Sequence, residues 1–392
     1  MKVLVTYLLA AASALGGERL TGLWDATVAV SGVEVPFRFE ISGESAISGA
    51  FFNGHDKVVS TQGSLAEGRL VLQFSYLGTK LDAAWKDGAI EGQYGRPGRT
   101  YPFKAVRHTA STAAETKAPS IDGEWEIPTK SAKGESAWRL IVRQTGGSVS
   151  AGILRIDGDT GTLTGAYRDG RFVLSHFSGA RPLVLEITPT ADGTLELVQN
   201  GRTRYTAIRP SHARDRGLTP PTDPSLHTSV KDSTDPLRFG AADLSGKNLS
   251  ERDFLGKVVL LNITGSWCPN CHDEAPFLAD LYRRYRDRGF VVVGLSFEEA
   301  EQLADPVRLR AFVAKYGIEY PVLLAGEPSS LSEKLPQAVN LNSWPTSFLL
   351  GRDGRVRTVH AGFPSSASGK FFAQAKEEIA STVERLLAEG KQ

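Results

Sequence analysis

The stretch GSWCPNCHDEAP, residues 265–276, contains both cysteines of the 392-residue chain, Cys268 and Cys271. It follows the apolar run KVVLLNI, residues 257–263, which predicts a buried strand, and a helical pattern continues after it. A Cys-x-x-Cys pair in that position indicates a thiol–disulfide redox site. Because a histidine follows the second cysteine, the same letters also fit the attachment of a c-type haem.

The cysteine count favours a reactive pair over a structural one. A bridge between Cys268 and Cys271 would close a loop of about four residues, and chain entropy gives so short a loop little stabilising effect. Secreted proteins with structural disulfides usually have several of them at longer separations. We therefore predict that these two cysteines form a redox-active disulfide.

The first residues predict export. In MKVLVTYLLAAASALGG, Lys2 precedes a short apolar run and small residues follow at 12–14, so residues 1–16 are predicted to be a secretory signal peptide. The periplasm or cell envelope is the expected location. The alternative is that these residues form the first strand or helix of a folded domain. No run of eighteen apolar residues occurs, so no lasting membrane span is expected.

Length and composition set broad limits on the protein. With 392 residues, of which 41% are hydrophobic and 23% charged, the chain is globular in composition and long enough for two or three domains. Its formal net charge of +1 gives no reason to expect nucleic acid or an anionic membrane as a partner.

Two segments before the cysteines resemble each other. TGLWDATV (21–28) aligns with DGEWEIPT (122–129), which places Trp24 over Trp125, and TQGSLAEGRLVLQFS (61–75) aligns with LTGAYRDGRFVLSHF (163–177). Both regions consist of short alternating strands separated by glycine turns, which is typical of an antiparallel sandwich or small barrel. We predict a duplicated β-domain in which both tryptophans fill the core.

The pattern changes after a proline-rich segment. From residue 237 onward, apolar strands alternate with amphipathic helices, which predicts a mostly parallel sheet covered by helices on both faces, with a tight hairpin at 352–354. The chain is therefore predicted to be multidomain, with these parts: signal peptide 1–16, β-domain 17–108, linker 109–120, β-domain 121–210, proline-rich linker 211–236 and α/β domain 237–390.

Position within the α/β domain gives the two cysteines different chemistry. Cys268 is expected at a helix N-terminus, where unpaired N–H groups and the helix dipole favour a thiolate. Cys271 lies one turn further in and suits the resolving role, attacking a mixed disulfide formed by Cys268. Pro269 fits the first helical turn without loss of a hydrogen bond. His272 either supports the thiolate when protonated or is an ordinary surface residue of the helix.

The C-terminal region resembles the thioredoxin superfamily, and especially the exported TlpA-like thiol–disulfide oxidoreductases. Three features in the right order support this over residues 235–390: a strand, Trp and Cys-x-x-Cys at the start of a helix; Glu274 and a proline shortly after; and a late SWPT at 343–346. No family is indicated for the β-domains. The resemblance implies a thioredoxin fold for the α/β domain.

The resemblance also implies roles for individual residues. Cys268 would be the nucleophile and Cys271 its partner. Pro345 would be a cis-proline that leaves the neighbouring backbone free to pair with an extended substrate. Because Asn262 occupies the place of thioredoxin's buried aspartate, proton transfer falls to Glu274; the alternative for Glu274 is a solvated residue in a salt bridge. The expected substrate-binding residues are Trp267, Pro269, Asn270, Trp344, Pro345 and Thr346.

The implied activity is reduction of protein disulfides, in cytochrome c maturation or in redox homeostasis of the envelope. Electrons would come from a membrane thiol donor of the DsbD/CcdA type, and no cofactor or metal is expected. The oligomeric state is not indicated. An alternative of another class is an envelope scaffold in which the duplicated β-domains bind a partner and the redox domain is accessory.

Three rival chemistries remain for the cysteines. A haem protein needs a second axial ligand, and the single methionine is Met1. A structural zinc site needs four ligands, whereas one Cys-x-x-Cys supplies two. A peroxiredoxin, which shares the fold, normally has a threonine and a proline before its cysteine, at places held here by Gly265 and Leu261.

Overall fold

The computed structural model describes residues 20–43, 46–109 and 117–389. The predicted signal peptide, residues 1–16, lies outside the described residues, as does most of the predicted linker 109–120. The described residues form two compact units: one contains residues 20–122, 142–151 and 160–205, and the other contains residues 123–141, 152–159 and 206–389. The division into three domains at the boundaries given above stays a prediction.

The first β-sheet lies entirely in the first unit. Its nine antiparallel strands follow the order β4-β3-β2-β1-β9-β8-β7-β6-β5. The strands are β1 (Gly22–Val30), β2 (Val33–Ser42), β3 (Ser48–Asn53), β4 (Asp56–Val59), β5 (Gln62–Ala66), β6 (Arg69–Phe74), β7 (Thr79–Lys86), β8 (Ala89–Arg96) and β9 (Arg99–Arg107). This sheet curls like a barrel and brings its two ends close together. Gly63 of β5, at one edge, lies so near the Ile47 carbonyl, just before β3, that a Cβ on Gly63 would be 2.1 Å from it.

Alternation of apolar and polar residues sends one set of side chains into the interior of this curled sheet. Trp24, Phe39, Phe51 and Phe103 are at most 1% exposed and share a single core cluster. The Phe39 and Phe51 rings lie 5.1 Å apart. Burial of such aromatic area is the main stabilising contribution available to an antiparallel sheet of this kind.

The second β-sheet is also antiparallel in the pairings between β12 and β17. Its order is β10-β11-β12-β14-β15-β16-β17-β18, with β13 paired to β12. The strands are β10 (Gly123–Pro128), β11 (Ala137–Thr145), β12 (Ser148–Arg155), β13 (Gly158–Asp159), β14 (Leu163–Arg168), β15 (Arg171–His176), β16 (Leu183–Pro189), β17 (Leu195–Gln199) and β18 (Thr203–Ala207). The predicted β-rich class of both N-terminal regions is confirmed.

The two aligned tryptophans have similar surroundings. Trp24 is fully buried, and the Arg107 guanidinium carbon lies 4.4 Å from its ring centroid. Trp125 is 4% exposed, and the Arg209 guanidinium carbon lies 3.7 Å from its ring centroid. Both rings thus close a core and carry a stacked cation on one face. This likeness supports the predicted duplication, which stays a prediction.

The α/β part of the second unit contains the remaining elements. A seven-stranded sheet has the order β21-β20-β24-β23-β22-β26-β27. Its strands are β20 (Gly240–Asp243), β21 (Asn248–Ser250), β22 (Val258–Thr264), β23 (Phe290–Phe297), β24 (Val322–Gly326), β26 (Thr346–Leu350) and β27 (Val356–Ala361), while β19 (Ser229–Val230) pairs with β25 (Ala338–Val339). The helices are α1 (Pro210–Asp215), α2 (Pro224–His227), α3 (Pro269–Tyr285), α4 (Ala300–Ala304), α5 (Val307–Tyr316), α6 (Leu331–Lys334) and α7 (Lys370–Ala388).

The expectation of a mostly parallel sheet was wrong. Only the β22–β23 and β23–β24 pairings are parallel, and the other pairings of this sheet are antiparallel. Parallel neighbours need a long crossover, which α3 and then α4 with α5 supply, whereas the short turns at 244–247 and 351–355 allow only hairpins. The sheet is therefore mixed.

The proline-rich segment 211–236, which we predicted to be a linker, is mostly exposed but is held to the α/β part around His227. It includes α2 and β19, and His227 at the end of α2 is 8% exposed. The His227 Nε2 lies 2.7 Å from the Asn342 Oδ1, and Thr228 donates a hydrogen bond to the Asn340 carbonyl. Pro224 fits here because it occupies the first turn of α2.

No helix in the described ranges combines the length and the apolar character needed to cross a membrane.

Candidate active site

The two cysteines lie where a buried strand gives way to a helix. All seven residues of β22 are buried, and the chain turns through Gly265 and Ser266 to Cys268, the N-cap of α3. The backbone N–H of Cys271 donates to the Cys268 sulfur across 3.3 Å. Both thiols are free, and they are only 3% and 2% exposed. The Cys268 sulfur thus lies at the N-terminal end of α3 and accepts a backbone hydrogen bond there.

Cys271 lies in surroundings that disfavour its charged thiolate form. Its burial is the largest cause of a pKa well above the usual value, and the hydrogen bond and charge of Cys268 raise that pKa further. A hydrogen bond with Thr264 acts in the other direction, while the charge of Glu274 again raises the pKa. Cys271 is therefore a neutral thiol at neutral pH and needs a proton acceptor before it can act as a nucleophile.

Glu274 is the acid next to this thiol. It is 2% exposed, and burial raises its pKa to about 7. The Asn262 Nδ2 donates to its Oε2 across 2.8 Å, and the Ser347 Oγ donates to its Oε1 across 3.1 Å, which partly offsets the effect of burial. Tyr320 is also buried, and its pKa is raised by burial and by the charges of Glu274 and Cys271. The alternative of a solvated residue in a salt bridge was wrong for Glu274.

The Trp344–Pro345 peptide bond is cis, as the resemblance implied. The Trp344 ring packs beside the Trp267 ring with 5.4 Å between centroids, which brings this loop next to the residue before Cys268. The Trp267 Nε1 donates to the Phe297 carbonyl across 2.9 Å. The Pro345 carbonyl accepts a hydrogen bond from the Gly362 N–H across 2.7 Å.

Two of the expected substrate-binding side chains are engaged within the chain. Thr346 is fully buried, and its hydroxyl donates to the Ser343 carbonyl across 2.8 Å. Asn270 is partly exposed, and its Nδ2 donates to the Asp157 carbonyl across 2.7 Å. Pro269 occupies the first helical turn, as predicted from the sequence, and it is partly exposed.

Sequence reasoning missed a buried ion pair behind the cysteine loop. Glu298 is fully buried and accepts hydrogen bonds from both the N–H and the Oγ of Ser266, each across 2.7 Å. The Arg308 guanidinium donates to the Glu298 Oε2 across 2.9 Å and to the Ser266 Oγ across 2.7 Å. This network holds the backbone two residues before Cys268. A carboxylate directly after strand 290–297, the parallel neighbour of β22, was the signal that could have revealed it.

His272 is not the exposed helix residue that one interpretation expected. Its Nε2 lies 2.9 Å from the Ser266 carbonyl and its Nδ1 lies 3.0 Å from the Tyr316 hydroxyl. Because a carbonyl only accepts, Nε2 carries a hydrogen. Both ring nitrogens are therefore occupied by protein partners. Among the described residues, no three His, Cys, Asp or Glu side chains are grouped so that they could hold a metal ion.

Comparison with known proteins places the site in a family. The profile of the AhpC/TSA family matches residues 234–359. The thioredoxin-like protein YneN of Bacillus subtilis (strain 168) is 32% identical over 124 residues, which are 32% of this chain and 68% of YneN. The chain belongs to the thioredoxin-like proteins. The resemblance predicted from the motif is thus confirmed for the C-terminal region.

Other relatives of this thioredoxin-like protein are named for thiol–disulfide exchange. The thiol-disulfide oxidoreductase ResA of Bacillus thuringiensis (strain Al Hakam) is 32% identical over 118 residues, 30% of this chain and 62% of ResA. The chain thus spans less than two thirds of the length of that relative. A solved thiol:disulfide interchange protein from Bacteroides sp. is 20% identical, with 42% of this chain and 91% of that chain covered and a TM-score of 0.32.

Proposed function

We propose that this thioredoxin-like protein is a thiol–disulfide oxidoreductase that reduces disulfides in proteins. The observation that carries the proposal is the arrangement of Cys268 at the N-cap of α3, Cys271 one turn behind it and the buried Glu274 beside Cys271. The name of the relative ResA supports the same reaction. The relatives are named for the reaction and not for a substrate, so the protein substrate is part of the proposal.

The first step is attack by the Cys268 thiolate on one sulfur of a substrate disulfide. A mixed disulfide forms between Cys268 and that sulfur, and the substrate's other sulfur leaves as a thiolate. Cys268 suits this step because its sulfur, at the N-cap of α3, accepts a hydrogen bond from the Cys271 N–H. The loop containing Trp267 is held from behind by the Glu298–Arg308 pair, so the sulfur has a defined position.

The second step uses Cys271 and Glu274. The Cys271 thiol gives its proton to the Glu274 carboxylate, and the resulting thiolate attacks the Cys268 sulfur. The bond to the substrate breaks, the second substrate thiolate leaves, and Cys268 and Cys271 remain as a disulfide. Two electrons pass from the dithiol to the substrate. A pKa of about 7 allows Glu274 to accept this proton near neutral pH and release it afterwards.

The setting of the reaction completes the proposal. Export through residues 1–16 would place the protein in the oxidising envelope, where a maintained dithiol acts as a reductant. A membrane thiol donor of the DsbD/CcdA type would then return the Cys268–Cys271 disulfide to the dithiol. Cytochrome c maturation and general redox homeostasis of the envelope are the processes that such a reductase would serve.

Reduction of the disulfide in a short unfolded peptide, with dithiothreitol as electron source, tests the activity. We expect the wild-type protein to accelerate the reaction and the Cys268→Ser variant to have no effect above the dithiothreitol control. An exposed hydroxyl substitution on α6, Ser332→Ala, serves as a control that should retain full activity. Equal rates for the wild type and Cys268→Ser would contradict the proposal, as would consumption of hydrogen peroxide in place of disulfide.

A further inference from the structure

A turn from the second β-sheet lies against the cysteine site. This turn, residues 155–159, joins β12 to β13 and belongs to the same compact unit as the α/β part. It contacts Asn270 between the two cysteines and the segment 362–368 that follows β27. We call it the 155–159 turn.

Asp159 anchors the turn. Its carboxylate is 4% exposed and accepts hydrogen bonds from the N–H of Ser365 across 2.7 Å, from the Ser365 Oγ across 2.7 Å and from the Ser368 Oγ across 2.6 Å. A buried carboxylate that accepts several hydrogen bonds is costly to withdraw, because each donor would lose a charged acceptor. The anchor therefore holds the turn in one place.

The turn touches the site at short range. The Asp157 carbonyl accepts the Asn270 hydrogen bond, and Gly158 forms a parallel bridge with Phe363. A Cβ on Gly158 would lie 2.3 Å from the Phe363 carbonyl oxygen, and a Cβ on Gly362 would lie 2.0 Å from the Ile156 carbonyl oxygen. Only glycine fits at either position, so the two backbones pack without intervening side chains.

The turn is also braced from its own sheet. The Ile156 N–H donates to the Glu135 Oε1 across 2.7 Å, and the Trp138 Nε1 donates to the Glu135 Oε2 across 3.1 Å. Glu135 is 5% exposed. Lys133 adds an ion pair to the Asp157 side chain at 2.8 Å. The turn is thus a fixed structure between two supports, one on each side.

Its position bears on access to Cys268. Gly362, which the turn covers, donates to the Pro345 carbonyl, and the Trp344 ring packs on Trp267 beside the cysteine. The turn therefore borders the backbone along which an extended substrate would pair. The Cys268 thiol is only 3% exposed, although it must reach a substrate sulfur.

We propose that the 155–159 turn is a wall that selects substrates of Cys268 by size. Small disulfides and disulfides in extended segments reach the sulfur beside the wall, whereas disulfides on the surface of folded proteins are excluded. The inference deepens the proposed function and rests on it, because Cys268 has disulfide substrates only if that function is correct. The accessibility of the thiol can be tested without that function.

The test compares Asp159→Asn with a matched control in a Cys271→Ser background, where Cys268 is the single thiol. Asp169→Asn makes the same change of charge at an exposed turn with positive φ, a conformation that asparagine tolerates. Alkylation rates are measured with iodoacetamide and with a long polyethylene-glycol maleimide. We expect Asp159→Asn to raise the rate with the bulky reagent by about tenfold or more and the rate with iodoacetamide by about twofold or less.

The control should change neither rate. A bulky-to-small rate ratio that is the same in Asp159→Asn and Asp169→Asn would overturn the proposal. If Asp159→Asn lowers the melting temperature strongly, Ser368→Ala removes a single donor and should raise the ratio by about two- to threefold. No rise in that variant would also overturn it.

A second readout separates the wall from the proposed function. With both cysteines present, Asp159→Asn should raise kcat/KM for a folded-protein disulfide relative to that for a small aromatic disulfide. If the wild type reduces neither disulfide, the proposed function fails, while the alkylation ratio still decides on the wall.

Discussion

The Asn262 side chain donates a hydrogen bond of 2.8 Å to the Glu274 carboxylate, and this bond links the strand before the cysteines to the helix that follows them. Both residues are at most 3% exposed. The amide stabilises the carboxylate without adding charge, so burial dominates and the pKa of Glu274 rises to about 7. The site thus contains an acid that changes charge near neutral pH.

The raised pKa of Glu274 predicts how stability depends on pH. The folded protein holds a proton on Glu274 up to about pH 7, whereas the unfolded chain releases it near its ordinary value of 4.5. The contribution of Glu274 to the free energy of unfolding is therefore complete below pH 4.5. It is lost as pH rises through 7, and the loss is up to about 3 kcal/mol. Urea unfolding at pH 5 and pH 8 measures the difference.

Glu274→Gln should remove that pH dependence, because glutamine does not titrate. The exposed Glu196→Gln variant is the matched control and should retain the full wild-type difference. A Glu274→Gln protein that loses as much stability between pH 5 and pH 8 as the wild type would contradict the raised pKa.

Glu274 should also govern the resolving step. Without its carboxylate, Cys271 lacks its proton acceptor, so resolution of the mixed disulfide should slow by about 100-fold in Glu274→Gln. In the wild type the resolution rate should rise with pH around 7. Rapid acid quenching and mass measurement follow the decay of the mixed disulfide.

Ser347→Ala separates the acid from its surroundings. This variant keeps the carboxylate but removes a hydrogen bond that lowers the pKa of Glu274, so the rise in resolution rate should move to higher pH. An unmoved pH profile in Ser347→Ala, together with normal resolution in Glu274→Gln, would show that Glu274 is not the acceptor.

Loss of one partner of the buried Glu298–Arg308 pair should destabilise the protein strongly. Arg308→Met leaves the fully buried Glu298 without its cation, which should cost about 3–5 kcal/mol in the free energy of unfolding. Arg310→Met removes a partner from an exposed pair and should cost about 1 kcal/mol or less. Equal losses in the two variants, measured by chemical denaturation, would argue against the network.

Close backbone contact at the 155–159 turn predicts a sharp effect at Gly362. Gly362→Ala places a Cβ 2.0 Å from the Ile156 carbonyl oxygen and should destabilise the protein by about 3 kcal/mol or more. Gly170 has a similar positive φ of 82°, but no atom lies within 4 Å of the added Cβ. Gly170→Ala therefore reports backbone strain alone, about 1 kcal/mol. Similar thermal unfolding of both variants would contradict the contact.

Local patterns in the sequence were enough to predict the elements around the cysteines. The run FVVVGLSF predicts β23 at the bounds that the structure has, because a strand buried on both faces is apolar without interruption. The start of α3 at Pro269 also follows from local chemistry, since proline and an N-cap sulfur fit there. The cis bond before Pro345 came from the resemblance.

Contacts between residues far apart in the chain could not be predicted from the sequence. The bond from Asn270 to the Asp157 carbonyl joins residues 113 positions apart, and the Asp159 anchor spans 206 positions to Ser365. No local periodicity encodes such a meeting. Glu298 and Arg308 were missed for a related reason, because charged residues are usually exposed and only packing shows that this pair is buried.

The attack by Cys268 is tested by one measurement: the intact mass of the Cys271→Ser protein after incubation with a disulfide substrate. We expect a stable adduct at Cys268 that a thiol reductant removes, and no adduct in the Cys268→Ser/Cys271→Ser control. A Cys271→Ser protein that stays unmodified, while Cys268→Ser forms the adduct at Cys271, would contradict the assigned roles.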